Sequence, residues 1–230
     1  MSIIPQMLST KKVIKPLAIS SFLRHFAKDD NWHEVNAKTG NLGYGWIHYS
    51  FIRQLKPQRV LCIGSRYGFI PAVCAMACRD NGVGMVDFVD AGFDQNDPVD
   101  ESRHWGGIGF WKNNNFKKHF GKFDLNPHLK VHVMLSSKFR KTFPKRKWSY
   151  AHIDGDHSYK GAKQDFKRFW PSLKPGGMLS FHDIYTDLGD KNFKYGVNKF
   201  WNELKEDGYN IMEFSGTCGL GVVQKNNEKI

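Results

Sequence analysis

Long apolar runs are missing. No stretch of the 230 residues approaches the 18 or so apolar positions that a membrane-crossing helix needs. The first residues, Met1-Ser-Ile-Ile-Pro, lack a basic patch followed by an apolar core, so no secretory leader is expected and a cytoplasmic location is. Cysteine is scarce. Cys62, Cys74, Cys78 and Cys218 have no zinc-site spacing, which makes a disulfide framework or zinc ribbon unattractive and reduced core thiols the expectation. Acids are outnumbered, 22 against 34 Lys and Arg, for a net charge of +12. That excess admits nucleic acid or an acidic partner, although the lysines are spread along the chain as solvated faces usually are. No repeat and no low-complexity tract is present. The composition that remains, 40% hydrophobic and 14% aromatic, is that of a globular chain with room for one sizeable α/β domain.

The chemistry gathers in one stretch, Tyr150-Ala-His-Ile-Asp-Gly-Asp-His-Ser-Tyr159, and its echo, Met178-Leu-Ser-Phe-His-Asp183. Each is a short apolar run that ends in acid and histidine. Tyr150–Ile153 and Met178–Phe181 read as buried strands. Tyr159, Ala162, Phe166, Phe169, Trp170 and Leu173 recur at helical spacing between them, with Ser158 or His157 as cap and Lys174-Pro-Gly-Gly177 as stop. A strand–helix–strand unit of this length predicts parallel strands, so Asp154 and His182-Asp183 should emerge at one sheet edge, where α/β sheets bind ligands.

Upstream, Pro16–Ala27 predicts a helix with Leu17, Phe22, Leu23 and Phe26 inward. A second helix follows with Trp46, Ile47, Phe51, Ile52 and Leu55 on its apolar face. Arg59–Gly64 reads as the first core strand. The turn Gly64-Ser-Arg-Tyr-Gly68, a buried helix and the strand Met85–Asp90 come next. Glycines let a backbone approach a ligand, and an acid 22 residues beyond Gly68 can bind ribose hydroxyls. Asp87 is a rival to Asp90. The spacing Gly-x-x-x-Gly is not the full dinucleotide fingerprint and argues against NAD. Residues 91–121 predict a long connection whose Trp105, Phe110 and Trp111 either cover a cofactor base or plug the sheet locally. Leu129–Leu135 reads as a third strand, Val197–Leu204 as a last helix, and Tyr209–Phe214 with Leu220–Val223 as a terminal hairpin.

Val60-Leu-Cys-Ile-Gly-Ser-Arg-Tyr-Gly68, Ile153-Asp-Gly-Asp-His-Ser-Tyr159, Leu173-Lys-Pro-Gly-Gly-Met-Leu-Ser-Phe-His-Asp183 and Gly196-Val-Asn-Lys-Phe-Trp201 with Gly219-Leu-Gly221 carry a resemblance. Over residues 45–225 the chain resembles the class I S-adenosylmethionine-dependent methyltransferases, in particular their small cation-dependent O-methyltransferase branch, found among natural-product and sugar-modifying enzymes. The resemblance implies a single Rossmann-like α/β domain over 45–230, with a mostly parallel seven-stranded sheet and an antiparallel C-terminal hairpin, preceded by residues 1–44 as an N-terminal segment or lid. It implies S-adenosylmethionine at Gly64, Ser65, Gly68, Asp90 and Asp154, and a divalent cation at Asp154, His182 and Asp183. Magnesium is the family's ion, but the histidine at 182 leaves manganese or iron open. His157 or Asp156 is expected as the base that takes a proton from a small-molecule or sugar hydroxyl, His157 being favoured because imidazole titrates near neutral pH. The acceptor, and whether the chain forms a homo-oligomer, stay open.

Three other readings compete. His152-x-Asp154-x-Asp156-His157 resembles a decayed metallohydrolase signature. The positive charge admits a nucleic-acid methyltransferase or binding module. An inactive interacting homologue is weakened by the intact acids.

Overall fold

The computed structural model describes residues 16–28, 31–93, 109–187, 189–190 and 193–226. A seven-stranded sheet forms its centre: β1 (Arg59–Ile63), β2 (Met85–Asp90), β3 (Leu129–Val133), β4 (Trp148–Ile153), β5 (Leu173–His182), β6 (Asn210–Phe214) and β7 (Leu220–Gln224). Their order across the sheet is β3-β2-β1-β4-β5-β7-β6. The first five strands are parallel and the hairpin β6–β7 joins β5 antiparallel, with His182 opposite Leu220.

Alternation along the strands supplies two apolar faces, as expected for a parallel sheet covered on both sides. Val60, Cys62 and Phe88 face one layer. It contains α1 (Pro16–Phe26), α2 (Gly45–Leu55) and α3 (Phe69–Asn81), and Phe22, Leu23 and Phe26 pack into the same core. Leu61, Ile63, Val89, Ala151 and Ile153 face the other layer, where α6 (Ser136–Thr142), α7 (Tyr159–Phe169) and α8 (Val197–Glu206) bring Phe139, Phe166, Phe200 and Trp201. The apolar side chains of α3 are buried on all sides because it lies between the sheet, α1 and α2.

Several local expectations change. In α2, Trp46 is 42% exposed and the buried residues are Gly45, His48 and Ile52. A side chain at Gly45 would lie 3.0 Å from the Phe69 ring, so the helix approaches α3 through this glycine and Trp46 turns outward. Helix α7 is capped by the Ser158 hydroxyl, which accepts from the Gly161 N–H at 3.0 Å. It ends at Phe169 rather than at the glycines. Pro171 has no N–H to continue the ladder, a single 3₁₀ turn covers Trp170–Ser172, and Leu173–Gly177 already belong to β5.

The connection after β2 is partly helical. Trp105 lies outside the described residues, whereas α4 (Phe110–Asn113) and α5 (Phe116–Gly121) are formed. Trp111 is 3% exposed, stacks on Phe120 with rings 7° from parallel, meets Phe88 edge-on and donates from Nε1 to the Ser65 carbonyl at 2.8 Å. Trp111 is thus a plug over the sheet, which settles the alternative for this residue.

Asp87 is fully buried and occupied by protein partners. It takes Arg146 Nη1 at 2.8 Å, Trp148 Nε1 at 3.1 Å, His132 Nε2 at 3.2 Å and Arg59 Nη1 at 3.3 Å. Burial acts to raise its pKa, but this ring of donors overrides it and holds the carboxyl below the usual range.

Candidate active site

The chain leaves β1 towards β2 and returns on β1's other side as β4. This is the switch point at which open α/β sheets hold ligands beyond the carboxyl ends of their strands. A cleft of about 680 Å³ opens there. Gly64, Ser65, Asp90, Met134 and Ser136 line one part of it; Asp154, His157, His182, Asp183, Trp32 and Tyr195 line another.

At the glycine turn, Asp90 Oδ2 accepts from the Ser65 N–H at 3.2 Å and Oδ1 accepts from the Gly92 N–H at 2.8 Å. Burial raises the Asp90 pKa, with these two donors pulling the other way. Gly64 has φ +76°, and a Cβ there would sit 2.1 Å from the Asp154 carbonyl oxygen. The glycine is needed because β1 and β4 run so close at their ends, where the Asp154 N–H donates to the Ile63 carbonyl at 2.8 Å. Gly68 begins α3 at φ +86°. A Cβ there would meet Phe120 and Trp111, not the cleft. On the Cβ side both glycines therefore meet protein, while Gly64 also lines the cleft.

The second half is a histidine–carboxylate cluster. His157 lies between two acids, with Nδ1 3.0 Å from Asp183 Oδ2 and Nε2 3.4 Å from Asp154 Oδ1. His182 Nδ1 lies 3.3 Å from Asp183 Oδ2 and 3.7 Å from Asp154 Oδ1, while its Nε2 donates to the Trp32 carbonyl at 2.9 Å. Burial opposes charging both rings, but the carboxylates outweigh it and raise His157 to about 10 and His182 to about 9. Asp183 is also desolvated, yet the two imidazolium neighbours keep its pKa well below the ordinary value. Its backbone is left-handed at φ +65°, and the Thr186 hydroxyl donates to its Oδ1 at 3.0 Å. Strain of this kind persists where surroundings fix the residue.

Three more histidines stand close. His33 Nε2 is 3.7 Å and His152 Nε2 4.0 Å from Asp154 Oδ2. His152 Nδ1 contacts the Ser180 hydroxyl at 2.9 Å, Ser180 contacts Tyr150 at 3.2 Å, and Tyr150 contacts His48 Nδ1 at 2.6 Å. Burial pushes His33 down to about 4 and His48 and His152 well below their ordinary value, so all three are neutral near pH 7. His152 is completely buried.

The sequence expectations divide. Asp154, His182 and Asp183 do converge, and His157 joins them. Asp156 lines the cleft, but its Oδ1 accepts from the Ser158 N–H at 2.9 Å in the turn into α7. The carboxylates of Asp183 and Asp154 raise the His157 pKa to about 10, which favours the imidazolium in the metal-free cluster. Trp32, His33, Tyr195 and Cys218 were not anticipated. His33 stands 121 positions from Asp154 in the chain, and only the folding of α1 and α2 onto the sheet brings it there.

The sheet order and the cleft at the switch point define a Rossmann-like α/β protein of the class I methyltransferase fold. The chain belongs to the methyltransferase domain family, whose pattern matches residues 61–184, more than half of its length. The structure is similar to the O-methyltransferase of Bacillus cereus in complex with S-adenosylhomocysteine (TM-score 0.58, 14% identity, 90% of each chain covered). It is also similar to TomG, a Streptomyces achromogenes O-methyltransferase of tomaymycin synthesis in complex with S-adenosylmethionine (TM-score 0.61, 14% identity, 94% of this chain and 92% of that one). A Geobacter sulfurreducens methyltransferase is a further neighbour (TM-score 0.61, 13% identity, 96% and 92%). In sequence, the chain is 25% identical over 182 residues to the uncharacterized protein y4gI of Sinorhizobium fredii. The match covers 75% of this chain but 17% of that protein, so the chain spans about a sixth of this relative. Among the described residues no helix is long and apolar enough to cross a membrane.

Proposed function

We propose that the chain transfers a methyl group from S-adenosylmethionine to a hydroxyl of a small molecule or sugar, with a divalent cation beside the acceptor. The observation that carries this reading is one cleft with two unlike parts: a glycine turn with Asp90, and a cluster of carboxylates and imidazoles. Family membership and the neighbours' bound ligands support the cofactor.

In this reading Asp90 accepts from the ribose hydroxyls, its orientation fixed by the N–H groups of Ser65 and Gly92. Met134 and Leu135, just past β3, give the adenine an apolar wall. The Trp32–Tyr44 portion of the N-terminal segment closes the acceptor side as a lid: Glu34 Oε1 accepts from the Thr217 N–H at 2.6 Å and the Trp32 carbonyl from His182.

The donors fit a dication. Asp154, His157 and Asp183 each offer one ligand atom within 4.8 Å of the others, and His182 adjoins both acids. Asp154, His182 and Asp183 would hold the ion, which when bound lowers the pKa of the acceptor hydroxyl. The hydroxyl proton passes to the Asp154 carboxylate as the oxygen attacks the methyl carbon. The carbon–sulfur bond breaks towards sulfur, leaving the methyl ether, S-adenosylhomocysteine and one proton for solvent. His157 steadies both carboxylates as an imidazolium in the metal-free cluster. Methyl transfer to a panel of sugar and phenolic hydroxyls, with and without chelator, tests the reading. Turnover that disappears on chelation and returns with metal supports it; undiminished turnover after exhaustive chelation removes the cation.

A further inference from the structure

Three of the four cysteines are ordinary core residues. Cys62, Cys74 and Cys78 sit in the apolar layer of α3 and β1. Cys218 is 3% exposed yet belongs to neither apolar cluster. It lies in the turn between β6 and β7, where its carbonyl accepts from the Tyr185 N–H at 2.9 Å, and its thiol bonds to the Asp183 and Thr186 side chains. The pairing of His182 with Leu220 sets this turn over the end of β5. One ligand atom each from His182, Asp183 and Cys218 falls within 4.8 Å of the others, and all three residues are buried.

A second observation points into the same site. His152 Nε2 is fully buried, has no hydrogen-bond partner among the described residues and stops 4.0 Å from Asp154 Oδ2. His33 Nε2 stands at 3.7 Å from that oxygen. These separations exceed a hydrogen bond. Two donors about 2.0–2.2 Å from one ion are roughly 3.0–3.5 Å apart, so small movements of these groups bring them into ligand spacing. Thiolate and imidazole suit borderline d-block ions; magnesium prefers oxygen donors and retains its water.

We propose that the cation is a borderline d-block ion of the zinc, iron or cobalt class, and that Cys218 is one of its ligands with His182 and Asp183. This rests on the reading that a cation works beside the acceptor, and names the cation's chemistry. Asp183 then serves the ion and His157 together, which accounts for the number of contacts that hold it in its left-handed conformation.

The test is a cobalt(II) titration of chelator-stripped, reduced protein, followed by absorbance. The expected result is a thiolate-to-cobalt band in the near ultraviolet that saturates at one ion per chain and survives a large excess of magnesium. Cys218→Ala, or Cys218→Ser if alanine unfolds the chain, should abolish that band. It should also weaken cobalt binding by about 10- to 100-fold, the scale on which even indirect partners of a metal ligand act. No band, a band unchanged in the Cys218 variants, or displacement by equimolar magnesium overturns the proposal. Calorimetry of the same samples with S-adenosylhomocysteine separates the two readings. Nucleoside binding without the cobalt band sinks this inference alone; the band without nucleoside binding sinks the methyl-transfer reading alone.

Discussion

His157 Nδ1 lies 3.0 Å from Asp183 Oδ2, and the ring's other nitrogen faces Asp154. One imidazolium thus separates two carboxylates that would otherwise repel each other across a buried site. Replacing it with asparagine removes the charge and keeps a polar side chain. His157→Asn should lower turnover by about 10²-fold, the scale on which loss of one preorganised electrostatic partner acts. S-Adenosylhomocysteine affinity should remain within about twofold, because His157 stands with the acids rather than at the glycine turn. Single-turnover rates and calorimetry measure the two effects separately. A variant that loses nucleoside binding and turnover together contradicts the division of the cleft.

Asp87 and Asp90 sit three residues apart on β2 and have different work. Asp87→Asn leaves Arg146, His132 and Trp148 facing a weaker, neutral partner in a buried setting, and should destabilise the fold by about 3 kcal/mol. Asp90→Asn leaves one of the Ser65 and Gly92 N–H groups without its acceptor, and should cost about 1 kcal/mol of stability, less than Asp87→Asn, while weakening nucleoside binding by about tenfold or more. Thermal melts with and without S-adenosylhomocysteine tell the two apart. The reverse pattern would assign the ribose role to Asp87.

The histidines predict a stability optimum. In the unfolded chain an imidazole takes a proton below about pH 6.5. His33 resists until about 4, and His48 and His152 resist further. In that window the unfolded state binds more protons, so stability falls as pH drops below about 6.5. His157 and His182 work in the opposite sense. Their raised folded values, about 10 and about 9, give stabilisation that is complete below 6.5 and fades as pH rises through 9 to 10. For metal-free protein the melting temperature should therefore peak near about pH 6.5 and fall on both sides. A melting temperature still rising as pH falls to about 5 would contradict the neutral assignment of the buried three.

Trp32 is 48% exposed at the rim of the cleft. Trp32→Ala should raise KM for the acceptor severalfold and leave nucleoside affinity unchanged, because the side chain borders the acid–histidine half and not the glycine turn. Equal KM values for mutant and parent over a panel of acceptors would reduce the N-terminal segment to a structural cover.

Much of this was legible because local pattern and topology agree. Short, largely apolar runs at Val60–Ile63 and Tyr150–Ile153 mark strands buried on both faces, and the acids that follow Tyr150–Ile153 and Met178–Phe181 fall at one edge of a parallel sheet. Helical ends were less legible. Trp170 and Leu173 continue the apolar period of α7, and only Pro171 signals that the backbone has already left the helix. The orientation of α2 depends on the tight contact of Gly45 with α3, which periodicity cannot register. The charge on His157 is set by Asp154, three residues before it, and by Asp183, which the parallel pairing of β4 and β5 brings beside it. His33 and Cys218 carry no local signal. Each reaches the site through long-range packing, one over the first helices and the other through the register of β5 with β7.

If the glycine-turn half of this cleft binds the nucleoside cofactor, calorimetry of the purified chain with S-adenosylhomocysteine, with Asp90→Asn as the paired variant, will detect it. One site per chain is expected in the parent protein, with a loss of about tenfold or more in the variant. No heat and no thermal shift at millimolar ligand, or a variant that binds as tightly as the parent, would contradict it.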